Sequence, residues 1–189
     1  YKNGKLEAKG TWKDDKKEGL WETYYENGQL KTKGTYKDGK KDGLSEKYYK
    51  NGKLEAKGTW KDDKKDGLWE YFWVNGQLKI KETYKDDKKE GSYKYFWGNG
   101  QLKIKETYKD GKKVGLWKLF NSNGQLMVRG TYKDGKKDDP FGYVVSRFVS
   151  TSSTQLSEKE SRKIYLRKSE RIIIDTPRLR GSISLNGGR

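Results

Sequence analysis

The chain has no cysteine and no histidine among its 189 residues, only two prolines, and a single methionine, Met127. Without cysteine there is no disulfide framework, no thiolate nucleophile and no thiolate metal site. Without histidine the commonest general base and the commonest metal ligand are both missing. Aliphatic bulk is scarce: leucine, isoleucine, valine and phenylalanine together make 33 residues. No apolar run approaches the roughly 20 residues that span a bilayer as a helix. Acidic residues are the minority charge, 27 against 44 lysines and arginines, for a net +17. Few aliphatics and high net charge together mark chains that cannot bury enough apolar surface to fold. Aromatics contradict that reading. Seven Trp, 14 Tyr and 5 Phe make 14% of the chain, whereas disordered chains are poor in them. Because Met127 is the only methionine, the chain is expected to continue upstream of Tyr1, where any leader would lie.

Charge and aromatics divide the sequence at about residue 139. Residues 1–139 hold 34 basic and 23 acidic residues; residues 140–189 hold 10 and 4, with only four aromatics. Pro140 follows the last lysine–aspartate cluster, and the two parts are expected to be different objects, 1–139 and 140–189.

A fixed period organises the first part. Asn-Gly recurs at Asn3-Gly4, Asn27-Gly28, Asn51-Gly52, Asn75-Gly76, Asn99-Gly100 and Asn123-Gly124, always 24 residues apart. Leu6, Leu30, Leu54, Leu78, Leu102 and Leu126 keep the same step, as do Trp12, Tyr36, Trp60, Tyr84, Tyr108 and Tyr132. Residues 1–17 recur unchanged as 49–65, a duplication of a two-repeat block. Each copy reads as a hairpin. Asn-Gly predicts a type I′ turn between strands, and a second turn is expected at Asp38-Gly39, Asp110-Gly111 and Asp134-Gly135. Asp-Asp replaces it at 14–15, 62–63 and 86–87, tolerable because Asp accepts left-handed geometry at some cost. The expected fold is all-β: an elongated antiparallel meander or solenoid of six 24-residue β-hairpin repeats, stable only through stacking of neighbours. A poorly ordered C-terminal tail should follow. Strict alternation puts Leu30, Thr32 and Tyr36 on one face and Lys31, Lys33 and Thr35 on the other. The column Leu20, Tyr24, Leu30 and Tyr36 is expected to line the buried or concave side. A second aromatic set, Trp21, Tyr25, Trp69, Trp73, Trp97 and Trp117, should lie more exposed or interleave across strands.

Gly-Leu-Trp-x-x-Tyr-Tyr-x-Asn-Gly, then Leu, Lys-x-Lys-Gly-x-Tyr and Lys-Asp-Gly-Lys-Lys-x-Gly, as in 19–41, 43–65 and 67–89, closely resembles the MORN repeat. It is similar in particular to the bacterial variant in proteins labelled YwqK-family antitoxins. The likeness covers 1–138 as six copies, the first incomplete. Departures are Ser45 and Tyr93 in the Trp column, Ser92 in the Leu column and Asn121 in the second aromatic column. It implies a strand-hairpin solenoid used for protein or membrane contact, with a toxin as one kind of partner. A bacterial chain of this kind would work in the cytoplasm or the cell envelope.

Catalysis finds no support. The pairs Asp14-Asp15, Asp62-Asp63, Asp86-Asp87 and Asp138-Asp139 lack the ligand spacing of a calcium loop and read as solvated turns beside lysines. Ser and Thr have no histidine partner, and the glycines do not open a helix as a phosphate loop does. The expectation is a non-enzymatic protein with no cofactor, metal or small-molecule substrate. The binding surface expected is the aromatic set above together with the Lys-x-Lys pairs Lys31 and Lys33, Lys79 and Lys81, and Lys103 and Lys105. An anionic membrane is the alternative partner, since basic residues and Trp suit that interface. Nucleic acid ranks lower, because acids interspersed in every copy cut the local potential.

In the second part, residues 150–161 read as a linker. Two strand-like runs follow, 171–175 and 179–185, split by Pro177. The stretch from Ile174 to Leu185, with Gly187-Gly188-Arg189, resembles the opening strands of the periplasmic domain of YidC-type membrane protein insertases. That likeness covers about twenty residues, without the insertase's membrane core; it implies a fused or truncated remnant and says nothing of activity.

Overall fold

In the computed structural model the described residues are 4–138, 143–144, 171–176 and 179–184, the last three stretches by backbone alone. The expected linker at 150–161 and the rest of the tail lie outside them. The chain forms two compact units, Tyr1–Ser146 and Arg147–Arg189.

The first unit is one open antiparallel sheet. Its strands are β1 (Ala8–Lys13), β2 (Lys16–Tyr24), β3 (Leu30–Lys37), β4 (Lys40–Tyr48), β5 (Leu54–Lys61) and β6 (Lys64–Phe72). They continue as β7 (Leu78–Lys85), β8 (Lys88–Phe96), β9 (Leu102–Lys109), β10 (Lys112–Phe120), β11 (Leu126–Lys133) and β12 (Lys136–Lys137). Each pairs with its neighbours in chain order, and β13 (Tyr143–Val144) pairs with β11. The expected meander is therefore what the backbone forms. In the second unit β14 (Arg171–Thr176) and β15 (Leu179–Ser184) make an antiparallel pair.

The two turns differ from the sequence expectation in kind. At Asn27-Gly28 the loop has three residues: Tyr25 and Gln29 close it, and Gly28 N–H donates back to the Tyr25 carbonyl. Only Gly28 has positive φ (86°), so this is a type I turn ending in a glycine bulge, not a two-residue type I′ turn. Asn27 contributes through its side chain, its Oδ1 accepting the Gln29 N–H at 3.0 Å. The same bond recurs from Asn51, Asn75 and Asn99. The type I′ geometry sits at the other end, where Asp38 and Gly39 have φ of 49° and 85°. Where Asp fills the second position, its carboxylate offsets the left-handed strain. Asp63 and Asp87 Oδ1 accept the backbone N–H of Lys41 and Lys65 in the preceding copy, at 2.8 and 2.7 Å.

The glycine-bulge loop has a consequence for the faces. Thr23 pairs with Thr32 but Tyr24 pairs with Leu30, which leaves Lys31 over as a bulge. Leu30 thereby crosses to the face of Leu20, Glu22, Tyr24 and Lys33, while Tyr36 stays opposite with Trp21. The expected apolar column is split between two faces. Leu20, expected on the buried or concave side, and its equivalents Leu44, Leu68 and Leu116 are 45 to 54% exposed.

The core is the other side of the sheet. Trp69, expected to lie more exposed or to interleave across strands, is only 6% exposed and takes the second course, and Trp21 and Trp117 are half-buried. The reason is a set of glycines beneath the indoles. A Cβ on Gly10 would stand 2.3 Å from the Trp21 ring, and one on Gly58 would stand 2.2 Å from the Trp69 ring. Each indole lies flat on a neighbouring strand and donates Nε1–H to a carbonyl there, Trp21 to Thr11 and Trp69 to Thr59, both at 3.0 Å.

Candidate functional site: two faces of one sheet

On the aromatic face, every copy lays a lysine across its rings. Lys17 Nζ lies 4.4 Å from the Trp21 centroid and 5.1 Å from Tyr36. Lys65 lies 4.4 Å from Trp69 and 4.9 Å from Tyr84; Lys89 lies 4.6 Å from Tyr93 and 5.3 Å from Tyr108. The rings themselves meet edge to face, Trp60 with Trp69 at 5.2 Å and Trp12 with Trp21 at 5.3 Å. Cation–π contact of this kind contributes about 0.5–2 kcal/mol each. Burial pulls the Lys65 ammonium below its ordinary value.

Two copies use a different solution. At the glycine position stand Glu82 and Glu106, 4% and 7% exposed. Glu82 is held by Lys89 at 2.9 Å and by the Tyr84 hydroxyl at 2.9 Å. Glu106 is held by Lys113 at 2.8 Å and by the Tyr108 hydroxyl at 3.1 Å. Tyr93 pairs with both glutamates across the strands, and an indole in its place would need the space they fill. Trp117, next to Glu106, turns to the following strand instead, where a Gly130 Cβ would meet its Nε1 at 2.7 Å. Ser45 leaves a shallow groove in the aromatic row, lined by Trp21, Tyr36 and Trp60 with Lys17 and Lys41.

The expected binding residues divide between the faces. Tyr25, Trp73 and Trp97 lie on the aromatic face and are engaged in joining one copy to the next. The Tyr25 hydroxyl donates to the Tyr48 carbonyl at 2.7 Å, Trp73 Nε1 to Phe96 at 3.3 Å and Trp97 Nε1 to Phe120 at 3.2 Å. Lys31, Lys79 and Lys103 lie over those rings, at 5.7 Å from Tyr25, 4.4 Å from Trp73 and 3.9 Å from Trp97. Lys33, Lys81 and Lys105 occupy the opposite face, because the bulge at Lys31 and its equivalents breaks each Lys-x-Lys pair apart. The lysine column Lys17, Lys41, Lys65, Lys89 and Lys113 and the buried glutamates were not among the expected site residues. The signal was present in the 24-residue period of those lysines, and in Gly giving way to Glu in the copies around Tyr93.

The opposite face carries a ladder of charge. Lys9, Glu22, Lys33, Glu46, Lys57, Glu70 and Lys81 stand opposite one another in register across β1 to β7. Glu70 bridges Lys57 at 3.1 Å and Lys81 at 3.0 Å, and the Lys81 hydrogen bond, with that of Lys57, holds its carboxyl below the usual range. From Lys81 the register continues through Lys94, Lys105 and Lys118 to Arg129, all basic. Beside the ladder runs the exposed column Leu20, Leu44, Leu68, Ser92 and Leu116, each paired with a threonine. Among the described residues no three carboxylates gather as a metal site would require, and no helix is long and apolar enough to cross a membrane.

A single-layer sheet of tandem hairpins, with its core in one aromatic face and its apolar column bare on the other, defines a repeat array. The repeats match the model of the MORN repeat variant at 17–38, 41–62, 65–86, 89–110 and 113–134. The chain belongs to the MORN repeat family. No curated protein matches it.

Proposed function

We propose that the array is a non-enzymatic scaffold that binds a protein partner through the ladder face. The observation that supports this reading is the column of leucines left 45 to 54% exposed in a row, bordered by charge. An apolar stripe with a polar rim has the composition of a protein interface. The aromatic face, by contrast, spends its rings and lysines on one another.

The likeness to antitoxin-labelled MORN variants gives this scaffold a setting, in which the partner is a toxin and the array neutralises it by occupying its surface. The insertase-like stretch in the tail has no part in this role. A photo-crosslinking residue at Leu44 or Leu68, in the cell that makes the protein, should trap a discrete protein adduct, and one at Trp69 should not. Neutralisation predicts that the trapped protein arrests growth when expressed alone and that the array relieves the arrest unless Leu44 and Leu68 are serine. The alternative, an anionic membrane surface, predicts instead that the chain co-sediments with phosphatidylserine vesicles, less so as salt rises. No adduct at either leucine, together with such sedimentation, would overturn the scaffold reading in favour of the membrane.

A further inference from the structure

The charge ladder changes character halfway along the sheet. From β1 to β7 it alternates, so every rung neutralises its neighbours. From Lys81 onward five successive strands present Lys81, Lys94, Lys105, Lys118 and Arg129 directly opposite one another. Like charges directly opposite across strands destabilise a sheet. The chain has the remedy in its own first half: a glutamate on every second rung. Positions 94 and 118 are the places in the repeat where Glu22, Glu46 and Glu70 stand, and both are lysine. Among the described residues no ion pair relieves Lys94, Lys105 or Lys118, in contrast to Lys57 and Lys81 on Glu70.

We infer that this half of the ladder is a docking track for an extended acidic segment of a protein partner, whose carboxylates complete the missing rungs. This inference rests on the scaffold reading and names the partner's chemistry. Five rungs at ~4.8 Å span roughly 19 Å, the length of about six extended residues. Protein is favoured over other polyanions by what adjoins the track. The exposed Leu116 shares this face with Lys118, so the ligand meets apolar side chains and cations together. At its other end the track runs into the alternating half, where Glu70, Glu46 and Glu22 cancel the lysines between them. A long uniform polyanion such as nucleic acid or a flat anionic bilayer therefore finds no continuation there. A protein can match the change of pattern residue by residue.

The test uses the whole chain and a fluorescein-labelled octaglutamate peptide, followed by anisotropy at low and at moderate salt. Binding should be salt-sensitive, and the double variant Lys94→Glu, Lys118→Glu should weaken it by tenfold or more. The same variant restores alternation, so its melting temperature should rise, which separates loss of the track from loss of the fold. A control, Lys79→Gln with Lys103→Gln on the aromatic face, should bind as the parent does. Unchanged binding in the ladder variant, an equal loss in the control, or tighter binding of an oligonucleotide or of anionic vesicles than of the peptide would each overturn the inference. If the peptide fails while adducts at Leu44 and Leu68 still form, the acidic track falls and the scaffold stands. If the adducts are absent as well, the scaffold reading falls with it.

Discussion

Gly58 and Trp69 show how single residues hold this sheet together. A single-layer sheet has no second layer to bury its rings against, so each indole must lie down on its own sheet. Lying down needs a strand without a side chain, and Gly10, Gly58 and Gly130 supply it. Replacing Gly58 by alanine puts a Cβ 2.2 Å from the Trp69 ring, against the most buried indole of the array. Overpacking of this kind costs about 1–3 kcal/mol, so Gly58→Ala should lower the urea midpoint at unchanged slope. A Gly58→Ala protein as stable as the parent would show that the indole is free to move aside. Sequence reading found the aromatic columns, because they recur at one step. It set Tyr36 on one face with Leu20 and left the second set either exposed or interleaved, because exposure depends on which strand face the glycines share with the rings, and a bulge at Lys31 decides that.

Strands acting together set the response to alkali. Across β6 to β9 four phenols crowd the two buried carboxylates. Burial, then the charges of Glu82 and Glu106, pushes the Tyr93 phenol up to about 12; burial first and Glu82 next do the same for Tyr71. Tyr84 and Tyr108 are raised further, by burial and by their glutamates. The neutral phenol is the form the fold favours, so the folded value exceeds the unfolded value of 10.0. Stability from these groups is complete below about pH 10 and falls as pH rises through the folded values, since the unfolded chain then binds fewer protons. Urea midpoints should accordingly be flat up to about pH 9 and drop between 10 and 12. Tyr93→Phe should make that drop shallower, and an unchanged profile would remove Tyr93 as one of its causes. The places of both turns were legible from the turn signals, whereas the type of the Asn-Gly turn was not. Asn-Gly was read as a pair of positive-φ residues, but only its glycine has that geometry, and the sequence carries no sign of how many residues the loop keeps.

At the scale of the molecule, stability is a sum over neighbours. Deleting residues 41–64 joins Lys40 to Lys65 in the frame of the repeat. The shortened array should remain a cooperatively folded β protein, with a denaturant slope lower by about one fifth, as slope follows the surface exposed on unfolding. A collapse to a random-coil spectrum would mean that the copies are not interchangeable. The 24-residue period made this architecture the most legible property of the sequence, because every copy repeats both turn signals. The charge ladder was not legible, since it exists only across strands, and its rungs lie 11 or 13 residues apart in the chain. One earlier observation governs how such a sheet can assemble. Residues 1–17 and 49–65 are the same string, so during folding β6 meets two chemically indistinguishable partners, β5 and β1. Side chains cannot choose between them; only connectivity can. Reaching β5 closes the two-residue turn at Asp62-Asp63, and reaching β1 closes a loop of about fifty residues, an entropic difference of about 3 kcal/mol. In a crowded solution a second molecule offers the same string untethered, and strand exchange between copies then competes with the turn, so folding yield depends on dilution.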